Sequence, residues 1–312
     1  MKEGDNFVYC VAVIMSTYNG AMYLEEQIDS ILSQEDVSVN LYIRDDGSEE
    51  ETIRLLHKYE HKDNIDVFYE KNVGVGNSFM KTMYKIDNVY DYYSFADQDD
   101  IWDKRKIINA IKQFEDSGGV LYASNQECIN KEGFSLGMRY GRQHINLNSI
   151  EILSRNMLSG CTMVFSRKLF GELIKIEHRP SAELLNNRIH DVWVAMIASL
   201  YGEIYYDTNS YIRYRQHENN VVGAYTEGVI YDIKQKISKL LDSKQRNGRS
   251  KLAFEIVNKF PEKFQKDDFM WACAYPHKLR NRFLLLKNAR LIKRGSGETL
   301  LGLYFKILVD LF

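Results

Sequence analysis

The chain has 312 residues and a formal charge of −2, with 41 basic and 43 acidic side chains. This length allows one large α/β domain, alone or with a helical appendage. The near-zero charge argues against a protein that binds nucleic acid, because such proteins normally carry a basic excess. The three prolines argue against a long disordered linker.

The cysteines Cys10, Cys128, Cys161 and Cys273 lie far apart in the sequence. Because no two of them have the spacing of a zinc site, they favour a reducing, cytoplasmic compartment over a disulfide or zinc scaffold. The apolar run Phe7–Met15 lacks the basic flank and cleavage site of a signal peptide, so we predict a buried strand there. No stretch reaches the ~18 apolar residues that a membrane-spanning helix needs.

Short apolar runs alternate with helical periodicity from residue 7 to about residue 123. This alternation predicts a mainly parallel sheet with right-handed crossovers, flanked by helices. The predicted strands are Phe7–Met15, Val39–Ile43, Ile65–Tyr69, Tyr92–Ala96 and Val120–Ala123. The predicted helices are Ala21–Gln34, Glu50–Tyr59, Gly76–Ile86 and Trp102–Phe114. Because ligands bind beyond the carboxyl ends of such strands, functional residues are expected directly after them.

The second half of the chain is less regular. It predicts a strong helix at Asn187–Tyr201 and short strands at Thr162–Phe165, Ile204–Tyr206 and Tyr211–Tyr214. After about residue 225 the pattern changes to helices separated by polar turns. We therefore predict an α/β domain in residues 1–224 and a helical region in residues 225–312.

The helical region contains a basic amphipathic segment. His277–Lys293 carries six basic residues and no acidic residue, and the apolar Leu300–Phe312 follows it. Such a segment can lie on an anionic membrane face without crossing it. The alternative is a helical pair that packs on its own domain and leaves a solvated basic face. The sequence leaves this choice open, as it leaves a homodimer open.

Three polar segments follow predicted strands and are expected to meet at one edge of the sheet. They are Ser16–Gly20, Asp45–Ser48 and Asp97–Asp100. Asp45–Ser48 is also typical of a turn with a helix cap. Asp97–Asp100 places three carboxylates within four residues, and these repel one another unless a cation or a solvated loop relieves them. Such oxygen ligands suit Mg²⁺ or Mn²⁺ with a diphosphate, and a solvated acidic loop is the alternative.

Two later segments add candidate residues. Asp191 lies near the start of a predicted helix, where it is either a functional carboxylate or a partner of the helix dipole. His217 follows the last predicted strand, close to Arg215 and two asparagines. A histidine in this setting is a better candidate for a metal ligand or phosphate contact than an isolated histidine.

Taken in order, seven segments carry a family resemblance. They are Val13–Gly20, Arg44–Ser48, Asn72–Gly74, Asp97–Trp102, Ser159–Met163, His190–Trp193 and Tyr214–Gly223. The set resembles the inverting family-2 nucleotide-sugar glycosyltransferases, which have the GT-A fold. The later segments resemble the bacterial branch that includes rhamnosyltransferases of surface polysaccharide assembly. The resemblance covers residues 8–224, and we recognise no motif after them.

The resemblance implies a nucleotide site at the ends of the first strands. Ser16, Thr17 and Tyr18 would line this site, with Tyr18 packed on a pyrimidine base. Asp46 would accept a hydrogen bond from the ring N–H of that base, and Asp97 would lie near the ribose.

The resemblance also implies the residues of the reaction. Asp99 would ligate Mg²⁺ or Mn²⁺, and His217 would approach the metal or the diphosphate from the other side. Asp191 would be the general base that takes a proton from the acceptor hydroxyl. Arg215 would help to stabilise the charge of the leaving diphosphate. His190 replaces the acidic residue found before this aspartate in many members, a feature associated with the rhamnosyl-type branch.

The implied reaction is an inverting, metal-dependent sugar transfer to a hydroxyl of a glycan or lipid-linked glycan. dTDP-rhamnose is the first choice of donor and a UDP-hexose the second, because both bases offer the same N–H group to Asp46. A lipid-linked acceptor would place the protein in the cytoplasm, at the inner face of the plasma membrane.

Three other functions fit parts of the sequence. A dinucleotide-dependent oxidoreductase would need a third glycine at Phe79, after Gly74 and Gly76. A nucleotidyltransferase would favour a basic, glycine-rich loop after the first strand, but Ser16–Gly20 has no basic residue. A non-catalytic module that binds a nucleotide or sugar is the third, and the presence of the candidate base and metal ligands argues against it.

Overall fold

The computed structural model describes residues 8–141, 143–187, 190–217, 247–266, 268–309 and 311–312. Nine strands within these residues form one sheet. They are β1 (Tyr9–Thr17), β2 (Val37–Asp45), β3 (Ile65–Tyr69), β4 (Tyr92–Ala96), β5 (Ile101–Trp102), β6 (Leu121–Ile129), β7 (Ser135–Met138), β8 (Val164–Ser166) and β9 (Ile204–Arg215).

Helices cover the sheet and continue to the C-terminal end of the described chain. Those of the sheet domain are α1 (Ala21–Leu32), α2 (Glu50–His57), α3 (Val75–Met83), α4 (Lys106–Ser117), α5 (Ser149–Ser154), α6 (Arg167–Ile174), α7 (Ala182–Asn187) and α8 (His190–Tyr201). Those that follow are α9 (Gly248–Lys259), α10 (Phe269–Ala274), α11 (Leu279–Lys287), α12 (Ala289–Ser296) and α13 (Leu300–Leu308).

The sheet has a parallel half and a mixed half. The strand order is β3-β2-β1-β4-β8-β6-β9-β5, and the first four strands are parallel to one another. Strand β8 runs antiparallel to both β4 and β6, whereas β9 runs parallel to β6. The carboxyl ends of β1, β2 and β4 therefore meet at one edge, as the sequence predicts.

Strand β1 is buried on both faces because helices cover both sides of the sheet. Val11, Val13 and Met15 belong to one core, together with residues of α1 and α4. Ala12 and Ile14 belong to the other core, together with residues of α3 and α8. Side chains of a strand alternate between its two faces, so this double burial explains an uninterrupted apolar run.

The C-terminal helices share a core with the sheet domain. Leu252 of α9, Leu285 of α11 and Leu303 of α13 belong to the same buried cluster as Trp193 of α8. The predicted α/β sheet and helical C-terminal region are therefore confirmed. The predicted boundary after residue 224 falls outside the described residues and stays a prediction.

Pairing with neighbouring strands overrides two of the predicted elements. The helix predicted at Trp102–Phe114 begins later, at Lys106, because Ile101–Trp102 pairs with β9 as strand β5. The short strands predicted at Ile204–Tyr206 and Tyr211–Tyr214 form a single strand, β9. Its pairing with β6 continues through two register shifts, so no break separates them.

Smaller differences occur around residues 160–190. The predicted strand Thr162–Phe165 overlaps a 3₁₀ turn at Gly160–Thr162, and β8 begins at Val164. The predicted helix Asn187–Tyr201 is represented by α7, which ends at Asn187, and by α8, which begins at His190. Residues 188–189 lie outside the described chain.

Candidate active site

The tips of β1 and β4 are joined by one side chain that the sequence analysis did not select. Gln98 Oε1 accepts hydrogen bonds from Thr17 Oγ1 at 2.7 Å and from the backbone N–H of Tyr18 at 2.8 Å. The ring of Tyr18 is half exposed, as a platform for a planar ligand must be. A Cβ on Gly20 would lie 2.3 Å from Gln98 Oε1, so this close approach requires glycine.

Asp46 is buried at the end of β2, and several donors hold its carboxylate. Its Oδ1 accepts from the guanidinium of Arg44 and from Val73 N–H at 2.9 Å. Its Oδ2 accepts from Gly74 N–H at 3.0 Å. Gly74 has a φ of 81°, a conformation that favours glycine. The motif at residues 72–74 thus fixes the carboxylate of Asp46.

Asp45 forms the turn for which the segment Asp45–Ser48 is typical. Its Oδ2 accepts from Gly47 N–H at 3.1 Å and from Ser48 N–H at 3.0 Å. Asp46 N–H donates to Thr17 O at 2.8 Å, which ties the tip of β2 to the tip of β1. Of these two adjacent carboxylates, Asp45 forms the turn and Asp46 lies at the edge of the sheet.

An acidic crevice lies beyond β4, formed by Asp97, Asp99 and Asp100 together with Asp191. Burial and the charge of Asp99 raise the pKa of Asp97 to about 7, and the charge of Asp191 also contributes. Burial and the charges of Asp99 and Asp97 raise the pKa of Asp100 well above its usual range. The contribution of Asp191 shows that α8 brings this residue close to the residues that follow β4.

The predicted metal ligands Asp99 and His217 are in direct contact. His217 Nε2 lies 2.7 Å from Asp99 Oδ2, and the imidazole stacks on the ring of Tyr23 with centroids 5.6 Å apart. Two adjacent ligands of one Mg²⁺ at about 2.1 Å each would lie ~3 Å from one another. This contact is a hydrogen bond between the two side chains, and a cation bound by both atoms would take its place.

A second group of three residues has the spacing of metal ligands. One ligand atom each from Asp97, Asp100 and Cys161 lies within 4.8 Å of the others. Asp100 Oδ2 is buried and has no hydrogen-bond partner among the described residues. Burial and the two carboxylates raise the pKa of the Cys161 thiol, so it stays protonated and is a poor ligand for a hard cation. The carboxylates of this group fit Mg²⁺ or Mn²⁺ better than its sulfur does.

Arg215 closes the crevice from the end of β9. Its backbone N–H donates to Asp100 Oδ1 at 3.1 Å, and its Nε donates to the Asp99 carbonyl at 3.0 Å. Its guanidinium also donates to Glu26 Oε2 at 2.6 Å and to the Lys131 carbonyl at 2.9 Å. Arg215 is therefore a buried organiser of the loop after β4 as well as a cation beside it.

Asp191 lies in the first turn of α8 and is 9% exposed. A carboxylate in the first turn of a helix interacts favourably with the helix dipole. The preceding His190 stacks on Phe79 with ring centroids 3.9 Å apart, and burial lowers its pKa to about 3. A Cβ on Gly160 would lie 2.5 Å from His190 Nε2, so glycine is needed beside this ring.

Arg139 and Lys106 are basic residues near the crevice that the sequence analysis did not select. Arg139 Nη1 donates to Gln126 Oε1 at 2.6 Å and to Ser159 Oγ at 2.9 Å, and its charge lowers the pKa of Asp97. Lys106 is fully buried, and burial lowers its pKa to about 7. Arg139 lies in an irregular segment, and Lys106 lies at the start of a helix that was predicted to begin at Trp102. No local pattern therefore indicated a role for either residue.

Comparison with known sequences decides the family. Residues 12–174 match the family model described as Glycosyl transferase family 2. The chain belongs to this family. The dTDP-rhamnosyl transferase RfbG of Shigella flexneri is 30% identical to this glycosyltransferase over 223 residues, which are 67% of this chain and 74% of that protein. The resemblance predicted from the motifs is confirmed.

Solved structures show the same fold at low sequence identity. The S. aureus TarS 1-349 structure in complex with UDP-GlcNAc has a TM-score of 0.54 and 16% identity, and covers 97% of this chain and 92% of its own. The mannosyltransferase PcManGT of Pyrobaculum calidifontis, in complex with GDP-Man and Mn²⁺, has a TM-score of 0.53 and 14% identity. It covers 97% of the glycosyltransferase described here and 87% of its own chain.

Proposed function

We propose that the chain is an inverting, metal-dependent glycosyltransferase that uses dTDP-rhamnose as donor. The acceptor would be a hydroxyl of a glycan or lipid-linked glycan in cell-surface polysaccharide synthesis. The observation that supports this proposal is that the strand ends bring Asp46 and Asp97–Asp100 to one edge of the sheet, where the charge of Asp191 acts on Asp97. The similarity to a dTDP-rhamnosyl transferase supports the choice of sugar.

Asp46 suits the role of reading the base because Arg44 and two backbone N–H groups fix its carboxylate. A carboxylate oxygen has two lone pairs, so Oδ2 can accept a ring N–H in addition to Gly74 N–H. Ser16, whose Oγ donates to Ser78 Oγ at 2.6 Å, and Thr17 would complete the wall beside the half-exposed Tyr18.

A divalent cation, when bound, would neutralise the diphosphate and lower the barrier to its departure. Asp99 and His217 would be its ligands, and Asp97 would lie near the ribose, as the family resemblance implies. Burial and then the charge of Asp99 raise the pKa of Asp97, and a cation held by Asp99 would offset the second of these effects.

Asp191 would accept the proton of the acceptor hydroxyl as the new bond to the sugar forms. Its place in the first turn of α8 supports an ionised carboxylate, and burial of His190 keeps the adjacent imidazole neutral. A neutral neighbour neither withdraws nor supplies a proton at pH 7, so one base would act alone.

Two arginines would contact the donor. Arg215 holds the metal-binding loop and lies next to Asp99, so we place it beside the diphosphate. The charge of Arg139 acts on Asp97, and its hydrogen bonds to Gln126 and Ser159 both come from Nη1, one of the three guanidinium nitrogens that carry five N–H donors in all. We place it beside the donor sugar or the adjacent phosphate.

A thermal-shift panel of dTDP, UDP, GDP and CDP, each with and without Mn²⁺ or Mg²⁺, tests the donor. A ligand at about 100 times its Kd adds roughly 2.7 kcal/mol of stability, which gives a readily measured shift. Metal-dependent stabilisation by dTDP beyond that by UDP supports the proposal. The Asp46→Asn variant should lose this response. Its amide can turn an N–H group toward the ring N–H of the base, where the aspartate presents an acceptor oxygen.

A UDP-hexose is the alternative donor, since uracil offers the same N–H group to Asp46. Stronger stabilisation by UDP would indicate a UDP-hexose as the donor in place of dTDP-rhamnose, and the proposed type of reaction would stay the same. Stabilisation by no nucleotide would favour a non-catalytic sugar-binding module and would remove the assigned role of Asp99.

The acceptor bears on where the protein works. A lipid-linked acceptor fits a cytoplasmic protein in peripheral contact with the inner face of the plasma membrane, and we propose this location. Among the residues described, no helix has both the length and the apolar character needed to cross a bilayer. We keep residues 1–224 as the proposed catalytic domain and residues 225–312 as the helical region. A homodimer stays a prediction.

A further inference from the structure

Helix α13 is apolar on two opposite faces. At about 100° per residue, Leu303 and Ile307 lie on one side of the helix, and both are buried. Leu301, Phe305 and Leu308 lie on the other side, and they are 81%, 60% and 57% exposed. We call these three exposed residues the apolar stripe. A row of large exposed apolar side chains marks an interaction surface, whereas single exposed residues do not.

Helix α11 repeats this arrangement. Asn281 and Leu285 face the interior of the protein, whereas Leu279 and Phe283 are 83% and 71% exposed. These two exposed residues are four positions apart and therefore lie on one face of the helix. Two helices of the same unit thus expose apolar rows.

Helix α12 of the same unit exposes cations. Arg290, Lys293 and Arg294 are exposed, whereas Ala289 and Ile292 are buried. In the part of the chain that the structure describes, these three cations form no ion pair with an acidic side chain. Helices α11, α12 and α13 pack on one another, so the cations and the apolar rows belong to one unit.

The charge of this unit differs in sign from that of the rest of the chain. Residues 277–312 contain eight basic and two acidic residues, a net charge of +6 in a chain whose total is −2. A helical unit that exposes both apolar rows and unpaired cations complements one surface chemistry well. That surface is a bilayer with anionic headgroups, where leucine and phenylalanine enter the acyl boundary and arginine and lysine meet the phosphates.

We propose that α11–α13 form a membrane-binding face that inserts the apolar stripe into an anionic lipid surface. This deepens the peripheral contact in the proposed function, and it can be tested with neither donor nor acceptor. Failure of vesicle binding would therefore leave the transfer reaction untouched, and failure of nucleotide binding would leave this face untouched.

Flotation of the full chain with lipid vesicles tests the proposal. We expect binding to vesicles of phosphatidylcholine with phosphatidylglycerol, little binding to phosphatidylcholine alone, and loss of binding at high salt. The double variant Leu301→Ser with Phe305→Ser should lower the partition coefficient on the order of 100-fold, because two large side chains no longer insert. The triple variant Arg290→Gln, Lys293→Gln and Arg294→Gln should lower it by a similar factor on anionic vesicles, at about fivefold per charge.

A matched control separates this face from general surface hydrophobicity. Ile176 is 77% exposed on a 3₁₀ turn outside the three helices, so Ile176→Ser should leave vesicle binding unchanged. Thermal unfolding verifies that each variant is folded. We expect all of them to fold, because none of the substitutions changes the buried residues Leu303 and Ile307. Equal binding to neutral and anionic vesicles, or unchanged binding of the double variant, would overturn the proposal. So would a concentration-dependent dimer that the double variant abolishes, because a second copy would then cover the stripe.

Discussion

In the acidic crevice, charged side chains are packed against one another inside the protein, whereas α11–α13 carry theirs on the outside. Arg215, Asp99 and Asp100 exchange hydrogen bonds, and the pKa of Asp100 is raised by burial. The cations of α12 face solvent and form no ion pair among the described residues. A charged group that is fixed by packing can stabilise charge on one atom of a ligand. An exposed cation affects only which surface the whole protein binds.

The same contrast applies to apolar residues. Around the crevice, Phe79 and Phe95 pack on His190 and hold the start of α8 in place. On α13 the exposed stripe contributes nothing to the core beneath it. The two regions should therefore respond differently to substitution: changes at the crevice alter chemistry, and changes at the exposed helical face alter location.

The largest effect is expected at the general base. Asp191→Asn should lower turnover by about 10²–10⁴-fold, because the amide cannot take the acceptor proton. Nucleotide-induced thermal shifts should persist, since the base lies on the acceptor side. Steady-state kinetics and the nucleotide panel measure the two properties separately.

Asp268→Asn is the control for this variant, because Asp268 also lies at the start of a helix, α10, but outside the crevice. It should retain turnover. Full activity of Asp191→Asn would remove the assignment and leave Asp191 as a partner of the helix dipole.

The two faces of α13 provide the next comparison. Leu303→Ala should lower the free energy of unfolding by about 2–5 kcal/mol, because the side chain is buried and a cavity remains. Leu301→Ala should change it by less than about 0.5 kcal/mol, because that side chain is exposed. Chemical denaturation of both variants gives the difference, and equal losses would mean that the stripe is covered within the protein.

Burial of His190 predicts a pH dependence of stability. The unfolded histidine has a pKa of 6.5 and gains a proton as the pH falls below that value, whereas the folded side chain has a pKa of about 3. Protonation therefore favours the unfolded state, and stability falls as the pH decreases from 6.5 toward 3. At pH 5 the loss from this residue should be about 2 kcal/mol.

His190→Phe keeps the stacking on Phe79 and removes the titration. Denaturation at pH 8 and pH 5 should show a difference smaller by about 2 kcal/mol than in the parent protein. An unchanged pH dependence would mean that other groups account for acid sensitivity. The pH 8 measurement also reports how well the larger ring fits beside Gly160.

The smallest expected effect belongs to Arg139. Arg139→Gln should weaken binding of the nucleotide-sugar donor on the order of 10-fold, the worth of one hydrogen bond to a charged group. Arg213→Gln is the matched control, since Arg213 is exposed on β9 and donates to the Gly133 carbonyl. Calorimetric titration distinguishes them, and equal weakening in both would place Arg139 outside the donor site.

Much of the site could be predicted because its residues lie at the carboxyl ends of strands or directly after them. The positions of Ser16, Asp46 and Asp97 depend only on where β1, β2 and β4 end, and a buried strand is visible as an apolar run. Parallel neighbours bring those ends to one edge regardless of the rest of the fold. Gln98 was within a selected segment, but its bonds to Thr17 and Tyr18 depend on a rotamer that no pattern encodes.

The sequence by itself determined the α/β architecture, the strand-end residues and the basic character of residues 277–293, since each depends on local periodicity or composition. Only the tertiary structure brought Arg139 beside Asp97, paired Ile101–Trp102 with β9 and divided α13 into a buried and an exposed face. These features depend on contacts between residues distant in sequence. The local sequence shows which side chains are apolar or charged, and tertiary packing decides which of them are exposed to water.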